Sequence, residues 1–370
     1  MKSEIKIAVI LGVGIAIAVG VTSVLFSSLD SEFESASIID NKNNSTNPID
    51  KSKFKIAPDL VGIAHYLNTT PEQLTSEMKG KVVLYDVWTY SCINCIRTLP
   101  YITAWNDKYS DEGLLIIGIH SPEFEFEKDR ENVELAIAKH GIIYPVVMDN
   151  DWETWKAFEN RYWPRKYIAD HEGYIRYDHI GEGAYQETEK IIQQLLEERS
   201  KLLGIQTDPA ETFVDIEEFK HSKFRTPELY FGYNLAQGRN QLGSAEGFNQ
   251  DKITTYNEPD NIQLHKFYPV GSWTNLEESM RLESNSGSIK VLYQAKEVNI
   301  VTANQAELEI FLDGVPLDEK YAGEDIESGN KITVVEPDLY NIINSEKFAT
   351  HELEIKINQK GFEIYSFTFG

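Results

Sequence analysis

The chain has 370 residues, room for two domains at roughly 100–200 residues each. Its 35 Lys and Arg against 59 Asp and Glu leave a formal charge of −24, a surface that repels phosphate backbones and argues against nucleic acid and anionic membrane surfaces as partners. With only two cysteines, a disulfide-stapled framework, a four-cysteine zinc site and a four-cysteine iron–sulfur cluster are all excluded.

Residues 7–26 form an uncharged apolar run with only Thr22 and Ser23 as polar side chains. At about 1.5 Å per residue, such a helix spans roughly the 30 Å of a bilayer core. Lys2 and Lys6 precede it and acids follow from Asp30, so residues 1–6 are expected in the cytoplasm and the rest of the chain outside. A cleaved signal peptide is the alternative. Its apolar region is about 7–15 residues long and ends in small side chains, whereas this run ends Val24-Leu25-Phe26, so a retained transmembrane anchor is expected. Residues 27–53, rich in Ser, Asn, Asp and Glu, read as a flexible stalk. Asn43, Asn44 and Asn68 each begin an N-x-S/T triplet, which permits glycosylation without requiring it.

Across residues 54–205, short β-rich runs alternate with helical stretches. Residues 81–88 (KVVLYDVW) and 114–120 (LLIIGIH) read as strands buried on both faces, and 144–148 as a third. A helix is expected over 128–140, stopped by Gly141, and a short one capped by Asp151 and running to Phe158. Residues 167–169 and 175–180 flank Asp170-His171-Glu172-Gly173, a hairpin signal. A final helix over 186–203 puts Ile191, Ile192, Leu195 and Leu196 on one side. This alternation predicts an α/β fold with a mixed sheet and flanking helices.

The rhythm changes over residues 206–370. Strands with period-2 alternation are expected at 291–301, 307–312, 331–335 and 351–357, separated by turn signals such as Asp313-Gly314 and Lys360-Gly361. No convincing helix interrupts them, and an all-β sandwich is expected.

Cys92 and Cys95 form a C-x-x-C pair. A c-type haem site needs His directly after the second cysteine, but position 96 is Ile. Zinc needs two further ligands, and no two of the eight histidines have the usual close spacing of a zinc pair. Dithiol–disulfide exchange fits the local context. The cysteines follow a buried strand ending at Trp88 and open a helix carrying Ile96, Leu99 and Ile102. At that helix tip, unpaired backbone N–H groups and the positive end of the dipole favour the thiolate. Cys92 is expected to attack, and Cys95, one turn further in, to resolve the mixed disulfide. Asp86 alternates with Leu84 and Trp88, so its side chain is expected to point into the covered face of the sheet. There a raised pKa would let it exchange a proton with Cys95. A surface Asp at a strand end is the plain alternative.

Residues 57–196 resemble the thioredoxin superfamily, and most closely the TlpA-like domain at the C-terminal end of DipZ-type cytochrome c biogenesis proteins. The resemblance is carried by 80–100 (GKVVLYDVWTYSCINCIRTLP), 117–128 (IGIHSPEFEFEK), 144–150 (YPVVMDN), 162–167 (YWPRKY) and 181–189 (GEGAYQETE). The trailing β domain of that family is similar to this chain in 226–233 (TPELYFGY), Leu312-Asp313-Gly314 and the closing Phe367-Thr368-Phe369-Gly370. The resemblance implies a thioredoxin-like fold with Cys92 and Cys95 as the redox pair and Asp86 as the buried acid. It also implies that Trp88 is the aromatic residue before the site, Pro100 the helix proline, and Pro164 a cis-proline. Trp163, just before Pro164, would then have its backbone free to pair with a substrate strand. No cofactor or metal is implied. The dipeptide Ile93-Asn94 between the cysteines differs from the Gly-Pro of cytosolic thioredoxins, which leaves the direction of electron flow open. DipZ-type proteins usually carry a multi-helix membrane domain that supplies electrons. With one span here, a separate membrane donor or acceptor is expected.

The aromatic stretch Trp152, Trp155, Tyr162 and Trp163 is expected to pack in the core, with a substrate groove as the alternative. The run Glu123, Glu125 and Glu127 is expected to be a solvated face. Copper delivery by a related fold uses cysteines four apart plus a histidine such as His120 could supply, which the spacing here does not match. The β domain has the rhythm of carbohydrate-binding modules, and could hold a glycan, dock a protein or act as a spacer. The expected function is that of a membrane-anchored extracytoplasmic thiol–disulfide oxidoreductase acting on protein thiols and disulfides. The rival is a non-enzymatic glycan- or protein-binding surface protein in which the C-x-x-C is a static clip.

Overall fold

The computed structural model describes residues 50–205, 212–220, 225–236 and 238–370. The expected cytoplasmic start, membrane span and most of the stalk lie outside these residues, as do Asn43 and Asn44. Among the described residues no helix is long and apolar enough to cross a membrane.

The first domain is built on a six-stranded mixed sheet. Its strands are β1 (His65–Leu67), β2 (Val82–Trp88), β3 (Leu114–His120), β4 (Val146–Met148), β5 (Arg165–Ala169) and β6 (Ile175–Ile180), in the order β1-β4-β3-β2-β5-β6. β2, β3 and β4 run parallel, while β1, β5 and β6 pair antiparallel to their neighbours. The expected hairpin is therefore β5–β6. Its helices are α1 (Pro71–Glu77), α2 (Ile93–Tyr109), α3 (Arg130–Lys139), α4 (Glu153–Ala157) and α5 (Tyr185–Leu203).

Every residue of β2 is buried, and its side chains alternate between two apolar layers. Leu84 and Trp88 face Leu99, Ile102 and Trp105 of α2, Val133 of α3, and Ile192 and Leu195 of α5. Val83, Tyr85 and Val87 face Leu74 of α1 and Trp155 of α4. Sheet burial on both faces explains why these strands read as continuous apolar runs. The spacing Leu99, Ile102, Trp105, Tyr109 keeps one stripe of α2 against the sheet. α5 stops at Gly204, whose φ of 65° suits a residue without a β-carbon.

Several local expectations shift. The helix expected from residue 128 is a short 3-10 turn, Glu125–Lys128, followed by α3. Asp129 caps α3 by accepting the Glu131 N–H. Asp151 does not cap α4. The buried carboxylate of Asp149 does, accepting the N–H groups of Thr154 (3.0 Å) and Trp155 (2.7 Å) and the Ser121 hydroxyl. Asp149 reaches two orphan donors of the first turn at once. Asn68 donates its amide to the carbonyls of Ile142 and Tyr144, so the group a glycan would need is already engaged. The folded part also begins before residue 54, since Asp50 caps a 3-10 turn whose Lys51 pairs with buried Asp170 at 2.8 Å.

The second domain is β-rich. It comprises β7 (Leu229–Tyr230), β8 (Ile253–Tyr256), β9 (Lys266–Asn275), β10 (Met280–Leu282), β11 (Gly287–Ala303), β12 (Ala306–Leu312), β13 (Val315–Pro316), β14 (Lys331–Val334), β15 (Asp338–Ile357) and β16 (Glu363–Phe369). A short helix, Tyr233–Ala236, and a 3-10 turn, Glu319–Tyr321, interrupt the expected all-β run among the described residues. Hydrogen bonding joins all ten strands into one sheet rather than two separate ones. β11 and β15 are far longer than the runs expected at 291–301 and 351–357, and register shifts near Ala295 and Val298 mark bulges between them. β11 packs against β9 without sharing a ladder, so the bent sheet closes over a single core around Trp273, Tyr293 and Phe367.

Candidate active site

β2 carries the chain to the dithiol through Thr89, Tyr90 and Ser91, all buried. Cys92 is the N-cap of α2, with extended backbone, and its Sγ accepts the Cys95 N–H at 3.4 Å. A sulfur thus takes a helix donor that would otherwise lack an intrahelical partner, at the positive end of a 17-residue helix. Cys92 is half-buried and Cys95 is buried. Burial, and then the adjacent Cys92 sulfur, push the Cys95 thiol well above its ordinary range. The two sulfurs are chemically unequal: one is partly exposed and accepts a helix N–H, the other is shielded and reluctant to ionise.

Asp86 points into the covered face, as its alternation with Leu84 and Trp88 predicts, and is 1% exposed. Burial raises its carboxyl to about 7, while the ammonium of Lys166 acts in the opposite sense. Its Oδ1 has no hydrogen-bond partner, and its charge is felt at Cys95. Trp88 is fully buried and meets the His120 ring edge-on at 5.3 Å. The Trp163–Pro164 peptide bond is cis. Trp163 is half-buried, donates from Nε1 to the Ser121 carbonyl at 2.9 Å, and packs on Trp155 with ring centroids 4.3 Å apart. Cys92 and Trp163 both lie, partly exposed, against the core under α2. Pro100 sits inside α2. Of the aromatic stretch, Trp155 is core, Trp152 and Trp163 are half-buried, and Tyr162 is exposed.

His120 is fully buried, and burial lowers it to about 3. Its Nε2 meets the Thr89 hydroxyl at 3.4 Å and its ring stacks on Tyr90. Among the described residues no three His, Cys, Asp or Glu side chains are grouped as metal ligands would be.

Three contributors to the site were missed in the sequence. Lys166 is fully buried on β5 as the register partner of Asp86. The signal was a lysine on the same strand face as Ile168. Glu127 is the second. It was expected on a solvated face, but only Glu125 of that run is well exposed. Glu127 is buried because its carboxylate ties the turn before the dithiol, accepting from the Ser91 hydroxyl (2.6 Å), the Phe124 N–H (2.9 Å) and the Glu123 N–H (2.5 Å). The third is the β domain itself. Ile93 and Ile96, which flank Cys95, pack with Phe124 and Phe126 against Tyr230, Val301, Leu339 and Tyr365. Around this patch, the Tyr90 hydroxyl donates to the Pro337 carbonyl (3.1 Å), Arg97 pairs with Glu297 (2.5 Å), and Lys139 pairs with Asp338 (2.7 Å).

An unequal dithiol at a helix tip, a buried acid beneath it and a cis-proline nearby, on this mixed sheet, define the thioredoxin-like class of dithiol oxidoreductase domains. Residues 53–196 match the family described as Redoxin, and residues 226–370 match the thioredoxin like C-terminal domain. Protein DipZ of Mycobacterium bovis is 34% identical over 317 residues, covering 85% of this chain and 43% of DipZ, so the chain spans less than half the length of that relative. Thiol-disulfide oxidoreductase YkuV of Bacillus subtilis is 33% identical over 143 residues, covering 38% of this chain and 94% of YkuV. A solution structure of a thioredoxin-like protein in its oxidized form covers 39% of this chain and 97% of its own, at 31% identity and a TM-score of 0.36. The chain belongs to the thioredoxin superfamily, as a protein of DipZ/TlpA type.

Proposed function

We propose that this chain is a thiol–disulfide oxidoreductase that works outside the cytoplasm on protein substrates, anchored by its apolar N-terminal run. The observation that carries the reading is the inequality of the two sulfurs, with Cys92 capping α2 at the surface and Cys95 buried above Asp86. The Cys92 thiolate attacks one sulfur of a substrate disulfide. The substrate S–S bond breaks, a Cys92–substrate disulfide forms, and the first substrate sulfur leaves with the bonding pair and takes a proton. Cys95 then gives its proton to the Asp86 carboxylate and attacks Cys92 Sγ. The second substrate sulfur leaves with its electron pair and is protonated, so the dithiol loses two electrons and the substrate gains them. The reverse sequence oxidises a substrate dithiol.

Anchoring and placement outside the cytoplasm are supported by residues 7–26 and the lysines before them. A separate membrane protein then supplies or removes electrons, in keeping with the cytochrome c biogenesis setting that the resemblance implies. The β domain is proposed to brace the active-site helix, because Ile93 and Ile96 are seated on it.

The test is direct. Cys92→Ser abolishes disulfide exchange, and Cys95→Ser accumulates substrate proteins as mixed disulfides that reducing agent releases. A working pair cycles at a potential above about −300 mV, whereas a static clip lies below it and resists reduction. A potential below that limit, with no trapped partner in Cys95→Ser, defeats the enzyme reading and favours the surface-binding rival.

A further inference from the structure

The face of the sheet away from α2 carries a cleft of about 680 Å³, walled by residues 53–58 on one side and by β5, β6 and the turn after α4 on the other. Register pairs Arg165 with Ile180 and Tyr167 with Asp178, so these four side chains share its floor. Its charge runs against the rest of the molecule. Acids outnumber Lys and Arg by 59 to 35 over the chain, yet five cations line the cleft, Lys53, Lys55, Arg161, Arg165 and Arg176, against the two acids Glu159 and Asp178. Both acids are already engaged, Glu159 by Lys55 at 3.0 Å and Asp178 by Arg165 at 2.5 Å, while Arg176 is held by Asp170 and Glu198. Lys53 and Arg161 are exposed and form no ion pair among the described residues. Between these cations stand the exposed apolar side chains Ile56, Tyr162 and Ile180. Uncovered apolar surface rimmed by charge of one sign has the composition of a docking site.

The backbone beside the cleft is open as well. β6 is the last strand of its sheet, and the segment before β1 covers only the start of its outer edge, through the bridge of Ile56 with Tyr174 and the Ile175 N–H donated to the Lys55 carbonyl at 2.8 Å. Among the described residues no strand continues that pairing beyond Ile175. Such an edge offers main-chain donors and acceptors to an extended peptide. The cleft also reaches the neighbourhood of the dithiol: Arg161, Tyr162 and Arg165 flank Trp163, which packs against the same core as Cys92.

We propose that this cleft binds an extended acidic segment, bearing an aromatic or aliphatic side chain, of the protein whose disulfide or dithiol meets Cys92. Its carboxylates face Lys53 and Arg161, its apolar side chain covers Ile56, Tyr162 and Ile180, and its backbone continues the edge of β6. An anionic bilayer matches the charge but supplies neither a strand for that edge nor a side chain to fill a concavity. The role in exchange rests on the oxidoreductase reading above; the binding does not.

The probe is a short fluorescent peptide, free of cysteine, in which Glu alternates with Phe and Leu, titrated into the full chain beside the same peptide with Lys in place of Glu. The acidic peptide is expected to bind and the basic one not, with affinity falling about fivefold or more between roughly 50 and 500 mM salt. Lys53→Glu combined with Arg161→Glu is expected to weaken binding by about tenfold or more, with thermal unfolding unmoved because both side chains are exposed. When each peptide carries a disulfide, the preference in kcat/KM for the acidic one falls by a similar factor in the double variant, through KM, while reduction of uncharged hydroxyethyl disulfide stays the same. Equal binding of the two peptides, undiminished binding in the double variant, or attachment to phosphatidylserine vesicles without peptide binding overturns the proposal. So does Ile180→p-benzoylphenylalanine that photocrosslinks only to the chain itself. If the double variant does not fold, peptide discrimination and salt dependence in the unaltered protein decide. Peptide binding without any disulfide exchange defeats the oxidoreductase reading and leaves the cleft assigned; exchange without peptide preference does the reverse.

Discussion

The two domains bury polar groups in different ways. In the β domain the buried polar side chains are Ser, Thr, Asn and Gln, with no acid, lysine, arginine or histidine among the described residues. The first domain buries Asp86, His120, Glu127, Asp149, Lys166, Asp170, Arg176 and Glu189. Buried charge is expensive, and most of these groups are compensated. Asp149 caps α4, Glu127 ties the turn before Cys92, and Asp170 accepts from Lys51 and Arg176. Glu189 accepts from Tyr109, Lys108 and the Val214 N–H. Asp86, Lys166 and His120 are the poorly satisfied members: Asp86 Oδ1 and His120 Nδ1 have no partner, and Lys166 has one carbonyl. Burial alone therefore does not mark the chemistry. Burial without full satisfaction, concentrated beside the dithiol, does.

Four substitutions sharpen or break that contrast. The largest effect is expected from Trp273→Ala in the β core, which removes a fully buried indole and should cost about 3–5 kcal/mol in urea unfolding. The dithiol potential should stay put while the protein is folded, and a moved potential would break the division of labour between the domains.

Asp86→Asn has the opposite sign. The folded-state carboxyl titrates at about 7, above its unfolded value near 4, so the native state binds the extra proton between those limits. Wild-type stability therefore falls as pH rises from about 4 to 7, and the variant, which has no ionisable group at position 86, should lose this dependence and be more stable above pH 7 by on the order of 2–4 kcal/mol less what buried Lys166 loses with its counter-charge. The gain should fade toward pH 4 in calorimetry. Destabilisation at pH 8 would mean that Asp86 contributes more as the counter-charge of Lys166 than its own burial costs.

Glu127→Gln tests the satisfied class. It places an amide N–H₂ among backbone donors and should lose about 1–3 kcal/mol at neutral pH, measured by the same unfolding. Tyr90→Phe removes a single bond to Pro337 across the domain interface and should cost about 0.5–1.5 kcal/mol, visible as faster amide exchange around Ile93 and Ile96.

Much of the site was readable because its chemistry is local. A C-x-x-C after a buried strand puts one thiol at a helix cap and the next inside the first turn, and the period of 2 in β2 turns Asp86 inward with Leu84 and Trp88. The errors share a cause. Asp149 rather than Asp151 caps α4 because a side chain from beyond the cap position reached further than the local rule allows. Glu127 was assigned to solvent because its partners are donors on a turn whose shape the sequence does not announce. The β strands were placed but cut short, since bulged strands lose their alternation midway.

Spacing and alternation along the chain determined the dithiol, its helix, the inward acid and the split into an α/β and a β-rich domain, because each follows from geometry within a few residues. Tertiary structure alone decided that Lys166 lies opposite Asp86, eighty positions away. It alone seated the β domain on Ile93 and Ile96. Cross-strand register and domain docking are set by packing summed over whole faces, and it is those faces, in a medium of low dielectric, that fix what a buried charge feels.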